Sequence, residues 1–250
     1  VGYFWKQQDD IPEGMGYPLF GVAHLSSVAI TILFVVVLII FVSRMEEKRQ
    51  RRLLKIMPGF MVVMEVFKDL FLVSVHRFGI GYLPLHICSI GIFIFLLREL
   101  LPWRQAKKAL GEISFMVIMP ASIVALMFAD WTVYYPVLNF TNIYSYVWHG
   151  MLILYPMLLK VRGDIDPSIK NIRYVLIFLL LVVLPVYIFD KCFGCNYFFV
   201  NWPIPDSPLS WMASFLGNPG YLIGYAALTL SVILLMYLVI VLVKKSLANR

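Results

Sequence analysis

The sequence predicts an all-α, polytopic membrane protein with seven transmembrane helices, and three observations lead there. The apolar residues fall into seven long runs, each closed by charged or turn-forming residues. Residues AVILMFWYC make up 61% of the 250 positions, charged residues 14%, and the mean hydropathy is +0.85, a balance foreign to soluble domains. The Lys and Arg residues, finally, are distributed unevenly between alternate loops.

Taken in order, residues 1–20 form a polar, aromatic arm punctuated by Pro12, Gly14, Gly16 and Pro18. The expected helices are 21–43, 57–75, 83–97, 113–129, 142–161, 174–189 and 221–243. The first is uncharged throughout. The loop RMEEKRQRR separates it from the second, which carries Glu65, Lys68 and Asp69 and leaves through the turn HRFGIG. The third, YLPLHICSIGIFIFLL, is followed by PWRQAKK. A Tyr-, Pro- and Asn-rich loop leads into the fifth, and RGDIDPSIKNIR follows it. A long aromatic, Pro-rich loop containing CFGC precedes the last. The whole of 1–250 reads as one membrane domain without repeats. Continuous apolar runs exclude a β-barrel, whose strands alternate. The start VGYFWKQQDD lacks the basic segment and short apolar core of a cleavable signal peptide.

Seven crossings put the termini on opposite sides. One side collects seventeen Lys and Arg residues, from Arg44 to Arg250, and the other only Lys6, Arg77 and Lys191. The positive-inside rule then places the N-terminus outside and the C-terminus in the cytoplasm of a multi-pass cell-membrane protein. The net charge of +7 is explained by those inner loops, so no nucleic-acid partner is expected.

All four histidines, His24, His76, His86 and His149, fall at outer helix ends. Helical spacing aligns Glu65, Lys68, Asp69, Leu72 and His76 on one face. It also aligns Asn142, Ser145, Tyr146 and His149, then His24, Ser27 and Thr31, and His86 with Ser89. Polar stripes cannot face lipid, so they predict an outward-opening polar cavity. His149 lies roughly 10 Å below the outer end of its helix, and His86 and Cys88 roughly 5–8 Å below theirs, at 1.5 Å per residue. That is the depth of a lipid ester bond. His149, His86 and Cys88 are the candidate catalytic residues. His24, Glu65, Lys68, Asp69, Ser89, Asn142 and Tyr146 are the candidate substrate-binding residues. Residues two apart on a helix do not face the same way, so only one of His86 and Cys88 shares the His149 cavity unless Pro84 distorts the first turn. Each feature also has a plainer explanation. Cys88 serves equally as a small core hydrophobe, His149 as a helix–helix hydrogen-bond partner, and Glu65, Lys68 and Asp69 as a self-neutralising cluster. No spacing supports a metal site, and no cofactor is expected. Cys192 and Cys195 have disulfide, metal or redox spacing; without a second such pair, a zinc site is not expected.

Several stretches together, PLFGVAHLSS, LPLHICSIGIFIFLL, MPASIVALMF, WHGMLILYPMLL and NYFFVN…SPLSWMASFLGNPGY, resemble the bacterial YwaF-like integral membrane proteins, which group with vertebrate transmembrane protein 164. The resemblance runs from about Pro18 into the last helix. It implies a seven-span lipid acyltransferase using a Cys at the start of the third span and a His in the fifth. His149 matches the second position. Where the family enzyme has Pro-Cys-His, this chain has Pro84-Leu85-His86-Ile87-Cys88, and ungapped matching sets His86 at the nucleophile position. The expected activity is acyl transfer or hydrolysis on an outer-leaflet lipid of a bacterial cell membrane. The competing expectation is a non-catalytic binder or transporter, or the membrane partner of another protein.

Overall fold

A computed structural model describes residues 2–248, apart from the side chain of Leu247. Val1, the first residue of the expected domain, and Arg250, counted above among the cytoplasmic charges, lie outside the described residues. The described chain is all-α. Its helices are α1 (Val22–Ser43), α2 (Glu47–Ser74), α3 (Ile87–Leu100), α4 (Arg104–Ile113), α5 (Met119–Met127), α6 (Phe140–Val161), α7 (Ile172–Phe193), α8 (Pro208–Leu216) and α9 (Tyr221–Ala248). A π-helical turn, Ser114–Ile118, joins α4 to α5 in one continuous rod, giving eight rods among the described residues. Four stretches are long and apolar enough to cross a membrane: Val22–Ser43, Arg104–Val133, Ile169–Phe193 and Tyr221–Ser246. The chain is thus a multi-pass membrane protein by its helices.

Several helices run further than the sequence pattern expects, and for one reason: charge does not break a helix. RMEEKRQRR contains no Gly or Pro, so α2 starts at Glu47 rather than at 57, with Arg51 bonded to Glu47 one turn back. Arg104–Leu110 is likewise helical rather than loop. The long loop after α7 holds the additional helix α8, capped by a Ser207–Ser210 capping box. In the other direction, α3 begins only at Ile87. Pro84 disfavours helical backbone in the residue before it, and Leu83 is extended (φ −59°, ψ 148°). His86 is therefore the N-cap, not a helical residue (φ −66°, ψ 149°).

The centre of the bundle is the α4–π–α5 rod with α6. Residues 111–119 are all buried, and α6 packs against α1, α2, α3 and α5. On α2 the buried residues Leu54, Pro58, Met61, Glu65 and Leu72 recur at helical spacing, so one face meets the core and the other is turned outward. On α1 the buried stripe is His24, Val28, Val35 and Val42. Gly150 lets α6 approach α1, since a Cβ there would stand 3.1 Å from Thr31 Cγ2.

At one end of the bundle the buried Glu112 carboxylate accepts from Tyr237 Oη (2.9 Å), Asn171 Nδ2 (2.9 Å) and Ser168 N (3.0 Å). It ties α4 to α9 and to the segment before α7. At the other end the N-terminal arm lies across the helix tips. Asn139 Nδ2 donates to the Tyr3 and Lys6 carbonyls, Trp5 packs on Phe71 and Phe140, and Arg77 pairs with Asp9 and Asp10. The candidate site opens at this second end.

Candidate functional site

The site is built around a carboxylate that joins three helices. Glu65 on α2 is 6% exposed. Its Oε1 accepts from Lys68 Nζ (3.0 Å) and Ser89 Oγ (3.1 Å), and its Oε2 accepts from Tyr144 Oη (3.0 Å). α2, α3 and α6 are thereby locked at one level. Lys68 Nζ also stands 3.2 Å from Asp69 Oδ1, an ion contact without hydrogen-bond alignment. An ammonium has three donors. Lys68 spends one on Glu65 and faces the cleft beside it.

That cleft has a volume of about 360 Å³, and Lys68, His86, Ser89, Asp130, Trp131 and Ser145 are among its lining residues. Gln8 of the arm and Tyr134 and Tyr135 of the loop before α6 line it as well. Gln7, next to Gln8, is buried and bonds to Thr141 and Tyr135. Burial pushes the Tyr135 hydroxyl up to about 12, so it stays a neutral donor.

The three central histidines differ in what their ring nitrogens do. His24 Nδ1 accepts from Phe20 N (3.0 Å), so its Nε2 is the donor to the Leu126 carbonyl (2.9 Å). Both nitrogens are used, and His24 is a structural tie between α1 and α5. In His149, Nδ1 donates to the Ser145 carbonyl (2.7 Å), which leaves Nε2 as a lone-pair acceptor. Its ring lies flat on Trp131, with centroids 5.4 Å apart and planes 4° from parallel. Trp131 is fixed in turn by its Nε1 donating to Asn142 Oδ1 (3.2 Å). Among the described residues the His86 side chain has no hydrogen-bond partner; it is held by packing, edge-on to Tyr197 at 4.7 Å and against Phe199 at 6.1 Å. Its neighbours in electrostatic range are Lys68, His149 and Glu65.

The structure gathers some of the expected residues and separates others. His86, Lys68 and Ser89 line the cleft, Glu65 and Asp69 brace Lys68, and His149 sits behind Trp131 on the same wall. Cys88, two positions from His86, is half-buried against the edge of the main apolar core and does not line the cleft. Asn142 and Tyr146 lie on another face of α6. There Tyr17 Oη donates to Asn142 Oδ1 (2.9 Å), and together with Ser27 and Thr31 they line a separate groove of about 400 Å³ along α1. His76 is exposed in the turn after α2, with a left-handed backbone (φ +56°).

Trp131, Tyr144 and Tyr197 were not anticipated. In the sequence they belong to aromatic clusters at helix ends, which is also the signature of residues resting at lipid headgroups. Only the fold distinguishes a Trp stacked on a histidine from one in the interface. Among the described residues no cluster of His, Cys, Asp and Glu has the arrangement of a metal site.

No curated protein and no solved structure matches the chain. Its residues 19–237, which contain every side chain of the cleft except Gln8, match the TMEM164 family. The chain belongs to the TMEM164 family.

Proposed function

We propose that the protein is a membrane-embedded lipid acyltransferase or lipid hydrolase whose reaction centre is the cleft between α2, α3 and α6. One observation carries this reading: a histidine with both ring nitrogens unbonded among the described residues, His86, shares a cleft with the Lys68 ammonium and the Ser89 hydroxyl. Ionisable groups at such depth are costly and mark functional sites. α2, α3 and α6 complete seven spans with α1, the α4–π–α5 rod, α7 and α9. They are less apolar because they hold Glu65, Lys68, Asp69, Arg98, Asn142 and His149. The Lys and Arg asymmetry puts the cleft on the outer face of the membrane, within reach of outer-leaflet ester bonds.

In the acyl-transfer step, the acceptor hydroxyl gives its proton to the His86 imidazole as its oxygen attacks the donor ester carbonyl. Lys68 offsets the charge that develops on the carbonyl oxygen. The tetrahedral intermediate then expels the donor's alcohol oxygen, which takes the proton from His86. With water as acceptor the same steps are hydrolysis. His149, through its free Nε2, is the second base of the site. In the alternative covalent route Cys88 attacks the ester first; its place outside the cleft opposes that route.

The test is reconstitution of the full chain in phospholipid vesicles holding a donor with an isotope-labelled acyl chain and a panel of hydroxyl-bearing acceptors. The expected result is labelled product by mass spectrometry, with His86→Ala lowering the rate about 10²–10⁴-fold. Absence of turnover with every acceptor and with water overturns the enzyme reading and leaves a binding or transport role.

A further inference from the structure

The groove between α1 and α6 takes no part in the chemistry of the cleft. It follows α1 from Ser27 to Leu38, roughly 16 Å at 1.5 Å per residue, and α6 from Asn142 to Leu154. α1 is long and apolar enough to cross a membrane, and a helix of that kind carries most of its length through the lipid chains. Gly150 and Val35 are buried at the base of the groove, where a Cβ on Gly150 would stand 3.1 Å from Thr31 Cγ2 and 3.6 Å from Val35 Cγ2. Ile30, Phe34 and Leu138, each more than half exposed, form its edge. Among the described residues that line it, none is charged. Its polar side chains are engaged within the protein. Ser27 and Thr31 donate to the Ala23 and Ser27 carbonyls (2.8 and 2.9 Å). Asn142 Nδ2 donates to the Val137 carbonyl (2.9 Å), and Asn142 Oδ1 accepts from Tyr17 and Trp131. What the groove offers a ligand is therefore apolar surface.

We propose that this groove binds one acyl chain of a membrane phospholipid, its ester end toward Ser27 and Asn142, near the helix starts, and its methyl end toward Leu38 and Leu154. Charge selects the occupant. A free fatty acid would bring a carboxylate, for which the lining holds no Lys or Arg, whereas an ester-linked chain leaves its charges on a headgroup at the membrane surface. Side-chain size argues against a helix of another protein or of a second copy. Helices meet in membranes through small residues; here Gly150 is already used by the α1–α6 contact, and the edge presents Ile30, Phe34 and Leu138. The site stands apart from the reading of the cleft as a reaction centre, although the two are neighbours. Trp131 lines the cleft, donates to Asn142 and meets the Tyr146 ring edge-on at 5.8 Å, and Asn142 and Tyr146 line the groove. One indole thus stands between the two.

The experiment places the full chain in phosphatidylcholine vesicles holding a minor fraction of phosphatidylcholine with a diazirine on one acyl chain. Irradiation is followed by mapping of the adducts by mass spectrometry. The expected adducts concentrate on residues 30–38 and 143–154, in excess over Leu234, Leu235 and Leu238, exposed residues of α9 outside the groove. Val147→Trp, an enlargement at an exposed lining residue, should lower the ratio of α1 to α9 labelling at least about tenfold. Ile223→Trp, at an exposed position of α9, should leave that ratio unchanged. Equal labelling of α1 and α9 in the parent chain overturns the site, as does a ratio that Val147→Trp does not move. A fatty acid carrying the same diazirine that labels the groove more strongly than the phospholipid overturns the choice of occupant. An unlabelled groove in a chain that is dimeric by native mass spectrometry assigns it to a second copy instead. The parent map needs no variant to fold and reads binding without turnover, so its result is independent of whether the vesicles show acyl transfer.

Discussion

Trp131 and His149 stack face to face, 5.4 Å apart and 4° from parallel, although eighteen positions separate them in the chain. The stack joins the loop after α5 to α6, and it leaves the His149 ring one freedom, the choice of what its Nε2 meets. Trp131→Leu keeps an apolar side chain but removes both the flat face and the Nε1 bond to Asn142. The expected outcome is a 10- to 100-fold loss of lipid acyl transfer, the scale on which a misplaced catalytic group is felt. Carbethoxylation of His149 by diethyl pyrocarbonate should become faster in the same variant. Unchanged rates in both measurements would show that the stack positions nothing.

Glu65 is predicted to be the most coupled residue of the site. Its removal strands the Ser89 and Tyr144 hydroxyls and leaves Lys68 with Asp69 alone. Glu65→Ala should cost about 3 kcal/mol, the lower end for a broken buried pair because Asp69 persists. Tyr144→Phe should cost about 1.5–3 kcal/mol with Glu65 present and a small fraction of that in Glu65→Ala. Unfolding in mixed micelles measures all four corners of the cycle. Additive losses would mean that Tyr144 does not act through Glu65.

How much of this was legible beforehand differs between levels, for physical reasons. Helix positions follow from apolar runs, so α1 and α9 begin within a residue of expectation. Helix ends were less legible, because highly charged segments such as Glu47–Lys55 are as helical as apolar ones. At the site, spacing aligned Glu65, Lys68 and Asp69, and the ion cluster is there. Spacing also aligned Asn142, Tyr146 and His149, yet the first two line a different groove. A stripe of one helix is wide enough to border two cavities, and the sequence of α6 alone contains nothing about where Trp131 or Tyr17 will arrive. His86 and Cys88 were set apart by phase, and Pro84 shifted the helix start without uniting them.

Gly91 tests the packing beneath the site. A Cβ built there meets Ile118 Cγ2 at 2.7 Å and Leu152 Cδ2 at 3.1 Å, so α3 touches the π turn and α6 without slack. Gly91→Ala should lose about 1–3 kcal/mol through overpacking. Adding Ile118→Leu, which removes the branch methyl, should restore part of it. A neutral Gly91→Ala would contradict the close contact.

The opposite end supplies a pH test. Asp166 lies 2.7 Å from Lys244 Nζ and 3.3 Å from Lys160 Nζ. The Lys244 bond, followed by Lys160, lowers its carboxyl from 3.8. A lowered folded-state value means stability that is present above 3.8 and disappears as pH falls through the folded value. Asp166 is 72% exposed in its side chain, so screening keeps the amount small. Asp166→Asn should cost under about 1 kcal/mol at neutral pH, and nothing once the medium is acidic enough to protonate the carboxyl. A cost that persists in acid would assign the effect to packing.

The last prediction decides which atom does the chemistry on α3. His86 borders the cleft with Lys68 and Ser89, whereas Cys88 is half-buried against the core, outside the cleft. If the face toward the cleft reacts, His86→Ala should abolish acyl transfer, and His149→Ala should reduce it strongly by removing the second base. Cys88→Ala should then be nearly silent in rate, and cost little stability because few atoms leave the core. If instead the thiol carries the acyl group, Cys88→Ala abolishes turnover and a lipid-like electrophile labels Cys88 in the wild type but not in His149→Ala. Intrinsic nucleophilicity favours sulfur; position favours the imidazole. A thiol outside the cleft is not placed to use its nucleophilicity there, so the expected result is an active Cys88→Ala and an inactive His86→Ala. An inactive Cys88→Ala with unchanged folding would reverse the assignment. It would also require the first turn of α3 to rearrange when lipid binds.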